Sequence, residues 1–196
     1  MKLAVRQSQR LELALSDEGP LPALFGMGHQ LLILNFRKDR VRVLAGHNPG
    51  GQQCRVQAPE PVTDPLRLEL LTGSGEAPGW GRPVSLEAVV EACPDPVLAV
   101  QRASRWASYA ARVAVVPQER LDDRALLEAQ LRGVWVVTAA PAGRFEVAVA
   151  GERAAAAGSV RGLAHRLLDE LAWEALRRRD SAAAGEVRPA ATRRPT

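Results

Sequence analysis

Hydrophobic and polar positions change their spacing repeatedly in the second half of this chain. Apolar residues at helical spacing give way to a β-branched run closed by Pro117, and a second helical stretch ending at Gly133 gives way to another apolar run. Two strands separated by a helix predict a parallel pair with a right-handed crossover. The predicted elements are, in order, a helix over 97–110, a strand over 113–116, a helix over 121–131 and a strand over 134–138.

The first 75 residues alternate apolar and polar positions and are expected to be rich in strands. Residues 29–36 are apolar almost without interruption, which is typical of a strand in the centre of a sheet. The polar turn at 37–39 predicts a hairpin with 41–44, and the prolines and glycines over 20–28 allow at most one helical turn. Further strands are predicted at 11–15, 53–57 and 66–71.

The remaining elements follow from capping residues and periodicity. Ser85 is expected to cap a short helix over 85–92, because Pro94 and Pro96 follow it. Alternation predicts a strand over 144–150. A last helix is predicted from Ser159 to about Arg179, with its leucines on one face.

Together these elements predict an α/β protein of mixed type. Its β-rich N-terminal half is followed by helix, strand, helix and strand, with a partly parallel sheet and a long C-terminal helix. We expect one α/β domain over 1–179, within which 1–75 is a candidate β-rich subdomain and 84–179 the α/β part. Residues 180–196 are poor in bulky apolar side chains and are expected to form a flexible basic tail.

Composition narrows the class of protein. The chain has 196 residues of which 46% are hydrophobic, enough for one buried core. It has no apolar run of the roughly 20 residues that span a bilayer, and the N-terminal residues lack the apolar core of a signal peptide. We therefore expect a cytoplasmic protein without a membrane partner, in which Cys54 and Cys93 are buried free thiols.

Basic residues are nearly all arginine, since Lys2 and Lys38 are the only lysines. Lysine-dependent catalysis is therefore nearly excluded, whereas arginine suits phosphate binding. Residues 151–196 carry nine basic and six acidic groups, so an anionic partner is expected there. Solvated surface charge is the simpler explanation of the same residues, and phosphate binding is the alternative. The candidate phosphate contacts are Arg102, Arg105, Arg177, Arg178, Arg179, Arg193 and Arg194.

Common catalytic motifs are absent from the sequence. It contains no Gly-Lys-Ser/Thr phosphate loop and no Gly-x-Ser-x-Gly elbow. His29, His47 and His165 are isolated, and the two cysteines are not spaced as zinc ligands.

The chain resembles the core of the restriction-endonuclease-like nuclease superfamily in two segments, which are residues 101–117 (QRASRWASYAARVAVVP) and 125–138 (ALLEAQLRGVWVVT). The resemblance implies an Asp at the end of one strand, and an acidic residue and a Lys two positions apart on the next. The carboxylates would hold Mg²⁺ or Mn²⁺, and the lysine would orient the attacking water. Gln101 resembles the glutamine of a helix found in one branch of the superfamily.

The catalytic half departs from that pattern. Asp64 and Glu69 are the best acidic pair, but Leu71 stands two positions after Glu69, where the resemblance requires lysine. The resemblance therefore implies an inactive member that binds nucleic acid and needs no cofactor.

Three functions remain open from the sequence. The first is noncatalytic binding of DNA or RNA through arginines. The second is a protein-interaction module or homodimer that uses the leucine face of the last helix. The third is a metal-dependent DNA nuclease that uses Asp64, Glu69 and Gln101.

Overall fold

The structure, a computed structural model, describes residues 20–25, 28–55, 59–72, 81–140, 144–153 and 162–186. In chain order its elements are α1 (Pro20–Phe25), β1 (Gln30–Phe36), β2 (Asp39–His47), α2 (Pro49–Gln53), α3 (Pro65–Thr72), β3 (Val84–Ala92), α4 (Pro96–Ser104), β4 (Ala111–Pro117), a 3₁₀ turn (Gln118–Arg120), α5 (Asp123–Arg132), β5 (Trp135–Ala139), β6 (Phe145–Val149) and α6 (Leu163–Glu186).

Six strands of the described residues form one mixed sheet in the order β1-β2-β3-β4-β5-β6. Strands β1, β2 and β3 are antiparallel, β3, β4 and β5 are parallel, and β6 returns antiparallel to β5. The predicted fold class, the hairpin and the parallel pair of strands are confirmed. The division of the chain into domains stays a prediction.

Capping residues define the two helices between the parallel strands. Asp95 precedes α4 and its Oδ1 accepts a hydrogen bond from the Leu98 amide at 3.0 Å, while Asp122 does the same for α5. Gly133 ends α5 with φ of 60°, in the left-handed region that glycine adopts without strain.

Helices cover the two faces of the sheet unequally. Helix α6 packs over β1 to β3, and α4 and α5 pack over the neighbouring strands on the same face. Helix α1 lies on the opposite face, where Leu21 joins Leu31, Val90 and Val113 in a second core. The turn of the β1–β2 hairpin lies near the carboxyl end of the parallel strand β3, because β2 begins opposite the point where β3 ends.

Among the strands that the structure describes, β1 lies at the edge of the sheet, so the prediction of a central strand at 29–36 is wrong. Its apolar residues have partners on both faces even at the edge. Leu32 and Leu34 pack toward α6, and Leu31 packs beside Leu21 of α1, while Ile33 is exposed.

Residues 85–92 form strand β3, not the predicted helix. The β2–β3 register shifts between Leu44 and Ala45, so β3 carries one extra residue there. This bulge breaks the two-residue alternation and leaves Leu86, Val89 and Val90 buried at a helix-like spacing. The Ser85 hydroxyl contacts Glu87 and caps no helix.

Residues 66–71 form helix α3, so the predicted strand is wrong. Asp64 caps this helix, because its Oδ1 accepts from the Arg67 amide at 2.7 Å. Only Leu68 is buried among the alternating leucines that suggested a strand, and Leu66 and Leu70 are exposed.

The strand predicted over 53–57 is also wrong in its described part. Helix α2 ends at Gln53, Cys54 lies in a turn, and residues 56–58 are outside the described residues. Both cysteines are free, but Cys54 is exposed and Cys93 is half-buried, so the expected burial of the thiols is wrong.

Helix α6 continues to Glu186, about two turns beyond the predicted end at Arg179. Ala182, Ala183 and Ala184 favour helix and extend it. The strand predicted at 11–15, the helix start at Ser159 and residues 187–196 lie outside the described residues. None of the helices described is both long enough and apolar enough to cross a bilayer.

Candidate nucleic-acid interface

The acidic pair from the sequence does not form a metal site. The Asp64 carboxylate caps α3 through the Arg67 amide, and Glu69 is exposed on that helix. Asp64 precedes the first residue of the helix and its carboxylate is directed to the helix amides, whereas Glu69 lies within the helix and is exposed. Across the described residues, no three His, Cys, Asp or Glu side chains are grouped so that they could hold a metal ion.

Gln101 is exposed on a different helix. Helix α4 packs against β3, β4 and α5, whereas α3 packs against α6. The structure therefore places Gln101 and the Asp64–Glu69 pair on separate elements that have different packing partners.

An acidic residue at the end of β3 was missed by the sequence analysis. Glu91 is the penultimate residue of β3, and its Oε1 accepts a hydrogen bond from Trp106 Nε1 at 3.3 Å. Cys93 follows two positions later, and its amide donates to the Val115 carbonyl at 3.3 Å. The signal that identifies this strand is the β-branched content at Val84, Val89 and Val90, which the apparent cap at Ser85 and the prolines at 94 and 96 outweighed.

Arg177 and Arg178 of α6 are already paired with carboxylates. Arg177 makes two hydrogen bonds to Glu60, which hold the pKa of that carboxyl below its ordinary value. Arg178 donates to Glu174 at 2.7 Å. These pairs line an open cleft of about 470 Å³. Arg179 is exposed on the same helix, and Arg193 and Arg194 lie outside the described residues.

Arg102 and Arg105 are different, because both are exposed and neither forms an ion pair within the described part of the chain. They lie at the carboxyl end of α4, one turn apart. The β1–β2 hairpin carries three more exposed cations without such a pair, namely Arg37, Lys38 and Arg40. Arg37 has a φ of 57° in this turn, and its guanidinium lies 5.6 Å from the centre of the Phe36 ring.

Aromatic side chains join the hairpin to the end of α4. The Phe36 ring centre lies 6.1 Å from that of Trp106 and 5.8 Å from that of Tyr109. Tyr109 in turn stacks on His165 at 4.4 Å, and His165 Nε2 donates to the Ser108 carbonyl at 2.6 Å. The structure thus brings together rings from the β1–β2 hairpin, the turn after α4 and the start of α6.

We call this surface the hairpin–helix patch. It consists of a cluster of rings flanked by five exposed cations, with the carboxylates of Asp39 and Glu91 beside them. Its cations are Arg37, Lys38, Arg40, Arg102 and Arg105, and its rings are those of Phe36, Trp106, Tyr109 and His165.

Comparisons of this chain with protein-family models, with curated proteins and with solved structures find no match.

Proposed function

We propose that this protein binds nucleic acid without cleaving it, through the hairpin–helix patch. The observation that carries the proposal is the set of five exposed cations that form no ion pair within the described residues and lie on two elements joined by aromatic contacts. Guanidinium groups without a carboxylate partner are free to bind phosphates, which release counterions on binding. Of the arginines named from the sequence, Arg102 and Arg105 belong to this surface.

The end of β3 supports a noncatalytic role. The nuclease resemblance requires an acidic residue and a lysine at a two-residue spacing on the strand that precedes the glutamine helix. That strand is β3, where Glu91 takes the acidic position and Cys93 stands in place of lysine. A thiol supplies no fixed positive charge to offset a scissile phosphate, and Glu91 is engaged by Trp106.

The leucine face of the last helix gives less support to an interaction module. Leu167 and Leu171 pack against the core under α6, and Leu163 packs with Val62 and Leu68. A dimer that used this face would have to displace the sheet of its own chain.

Fluorescence anisotropy with labelled single-stranded and double-stranded oligonucleotides, titrated across salt concentration, tests the proposal. The double variant Arg102→Gln/Arg105→Gln should weaken binding and reduce the log–log salt slope by about 1.4 to 1.8, because each lost phosphate contact contributes about 0.7 to 0.9. The matched control is Arg120→Gln/Arg124→Gln, which removes the same charge from exposed positions near α5. It should leave the slope unchanged.

Two results would overturn the proposal. One is the absence of binding at low salt, and the other is an equal loss of affinity in both double variants, which would indicate a diffuse charge effect. Incubation of the same oligonucleotides with Mg²⁺ or Mn²⁺ tests the second half of the claim. No cleavage is expected. Cleavage by the wild-type protein that is lost in Glu91→Gln would show instead that the protein is a nuclease.

A further inference from the structure

We propose that the Trp106 and Tyr109 rings of the hairpin–helix patch bind unpaired nucleobases, so that its ligand is a single-stranded nucleic acid. This inference rests on the proposed function and makes it more specific. Trp106 and Tyr109 lie in the turn between α4 and β4 and are half-buried, while Arg105, Ala107 and Ser108 around them are exposed. Both residues therefore keep some solvent-accessible surface at a patch that also carries cations.

The rings are held in place before any ligand binds. Trp106 donates its indole N–H to Glu91 at 3.3 Å and meets Tyr109 at a ring-centre distance of 5.5 Å and an interplanar angle of 68°. Phe36 lies beside both rings and is buried. A base that stacks on a ring already fixed by its neighbours costs little additional side-chain ordering.

Stacking and charge together favour a single strand. The bases of a duplex are stacked on one another, so a duplex offers this patch its phosphates and base edges but not its base faces. A single strand offers phosphates to Arg37 and Arg105 and base faces to the rings between them. The patch should therefore distinguish the two forms by base contacts and not by charge.

Three oligonucleotides of equal length and charge per strand separate these contributions. They are oligothymidylate, an abasic oligomer with the same phosphates, and oligothymidylate annealed to its complement. The full chain should bind oligothymidylate more tightly than the abasic oligomer by about 5-fold to 150-fold for each stacked base.

Tryptophan fluorescence locates the base. Oligothymidylate should quench part of the emission of the wild-type protein, and this part should be lost in Trp106→Phe. The matched control is Trp135→Phe, which changes a half-buried indole whose ring contacts Phe25 away from the patch. It should retain the quenching. If Trp106→Phe does not fold, Tyr109→Leu gives the second readout, and its affinity for oligothymidylate should fall toward that for the abasic oligomer.

The outcomes distinguish this inference from the proposed function. Equal affinity for all three oligonucleotides, with a loss in Arg102→Gln/Arg105→Gln, overturns base stacking and leaves nucleic-acid binding intact. A preference for oligothymidylate whose quenching persists in Trp106→Phe overturns this location for the bases. No binding to any of the oligonucleotides overturns both.

Discussion

Replacing Arg55 by methionine is expected to destabilise the protein more at neutral pH than at acidic pH. Arg55 and Glu170 are both buried, with side-chain exposures of 0% and 1%, and Arg55 Nη1 donates a hydrogen bond to Glu170. The second Glu170 oxygen accepts from the Val62 amide at 2.8 Å, and the Arg55 guanidinium lies 4.6 Å from the centre of the Trp173 ring. Methionine keeps an apolar side chain beside Trp173 but removes the positive charge.

The magnitude follows from the charge that is left behind. Removing one partner of a buried ion pair costs about 3 to 5 kcal/mol, because the other charge stays uncompensated. Burial already raises the pKa of Glu170 above its ordinary value of 4.5, and hydrogen bonds from Val62 and Arg55 oppose that rise. Loss of Arg55 therefore raises the pKa of Glu170 in the folded protein further.

The sign of the pH dependence follows from linkage. A carboxyl whose pKa is higher in the folded state than in the unfolded state binds its proton more tightly when folded. Its contribution to stability is complete below the unfolded pKa, near 4.5, and is lost as the pH rises through the folded pKa. The cost of Arg55→Met should consequently be smallest near pH 4.5 and grow toward neutral pH, by about 1.4 kcal/mol for each tenfold change in proton affinity.

Urea unfolding at several pH values measures this cost as a difference between variant and wild type. The double variant Arg55→Met/Glu170→Gln is the control, because glutamine cannot ionise but still offers an oxygen to the Val62 amide. It should recover most of the lost stability and remove the pH dependence of the difference. A cost that is the same at all pH values, or no recovery in the double variant, would refute the reasoning.

Three further predictions concern local features. Gly133→Ala should cost about 1 to 2 kcal/mol in urea unfolding, because φ is 60° there and an added Cβ would lie 2.6 Å from Glu152 Cδ; an unchanged midpoint would contradict the left-handed cap. Asp122→Ala should cost about 1 kcal/mol by removing the acceptor for the Ala125 amide, and a neutral result would show that the cap contributes nothing. Arg177→Gln should leave oligonucleotide affinity unchanged, because this arginine is paired with Glu60; a loss as large as that of the Arg102 and Arg105 variant would move the interface to α6.

Much of the parallel half could be predicted from the sequence. Helices α4 and α5 and strands β4 and β5 have local signals, since each helix carries an aspartate cap and each strand a run of β-branched residues. The β1–β2 hairpin could also be predicted from the sequence, because a polar turn separates two apolar runs of strand length. Local periodicity is sufficient for such elements because the burial of each residue repeats with the period of its own helix or strand.

Elements whose pattern of buried residues depends on distant parts of the chain could not be predicted from the sequence. The bulge in β3 forms only because β3 pairs with β2. Its extra residue interrupts the alternation that is typical of a strand, so Glu91 and Cys93 were not recognised as residues at the end of a strand. The leucines of helix α3 alternate as in a strand. The segment is nevertheless helical, with a cap at Asp64 and packing against α6.

For the candidate interface too, some properties follow from local sequence and others only from the tertiary structure. The sequence by itself determined that the cations open to an anionic ligand are nearly all arginines and that lysine-dependent catalysis was nearly excluded, because these properties depend on residue identity alone. Only the tertiary structure decided which arginines keep an accessible charge. Glu60 pairs with Arg177 across 117 positions of the chain, and Phe36, Trp106 and His165 meet from three separate elements. Contacts between residues so far apart leave no trace in local spacing, because they are formed only when the sheet and its helices pack together.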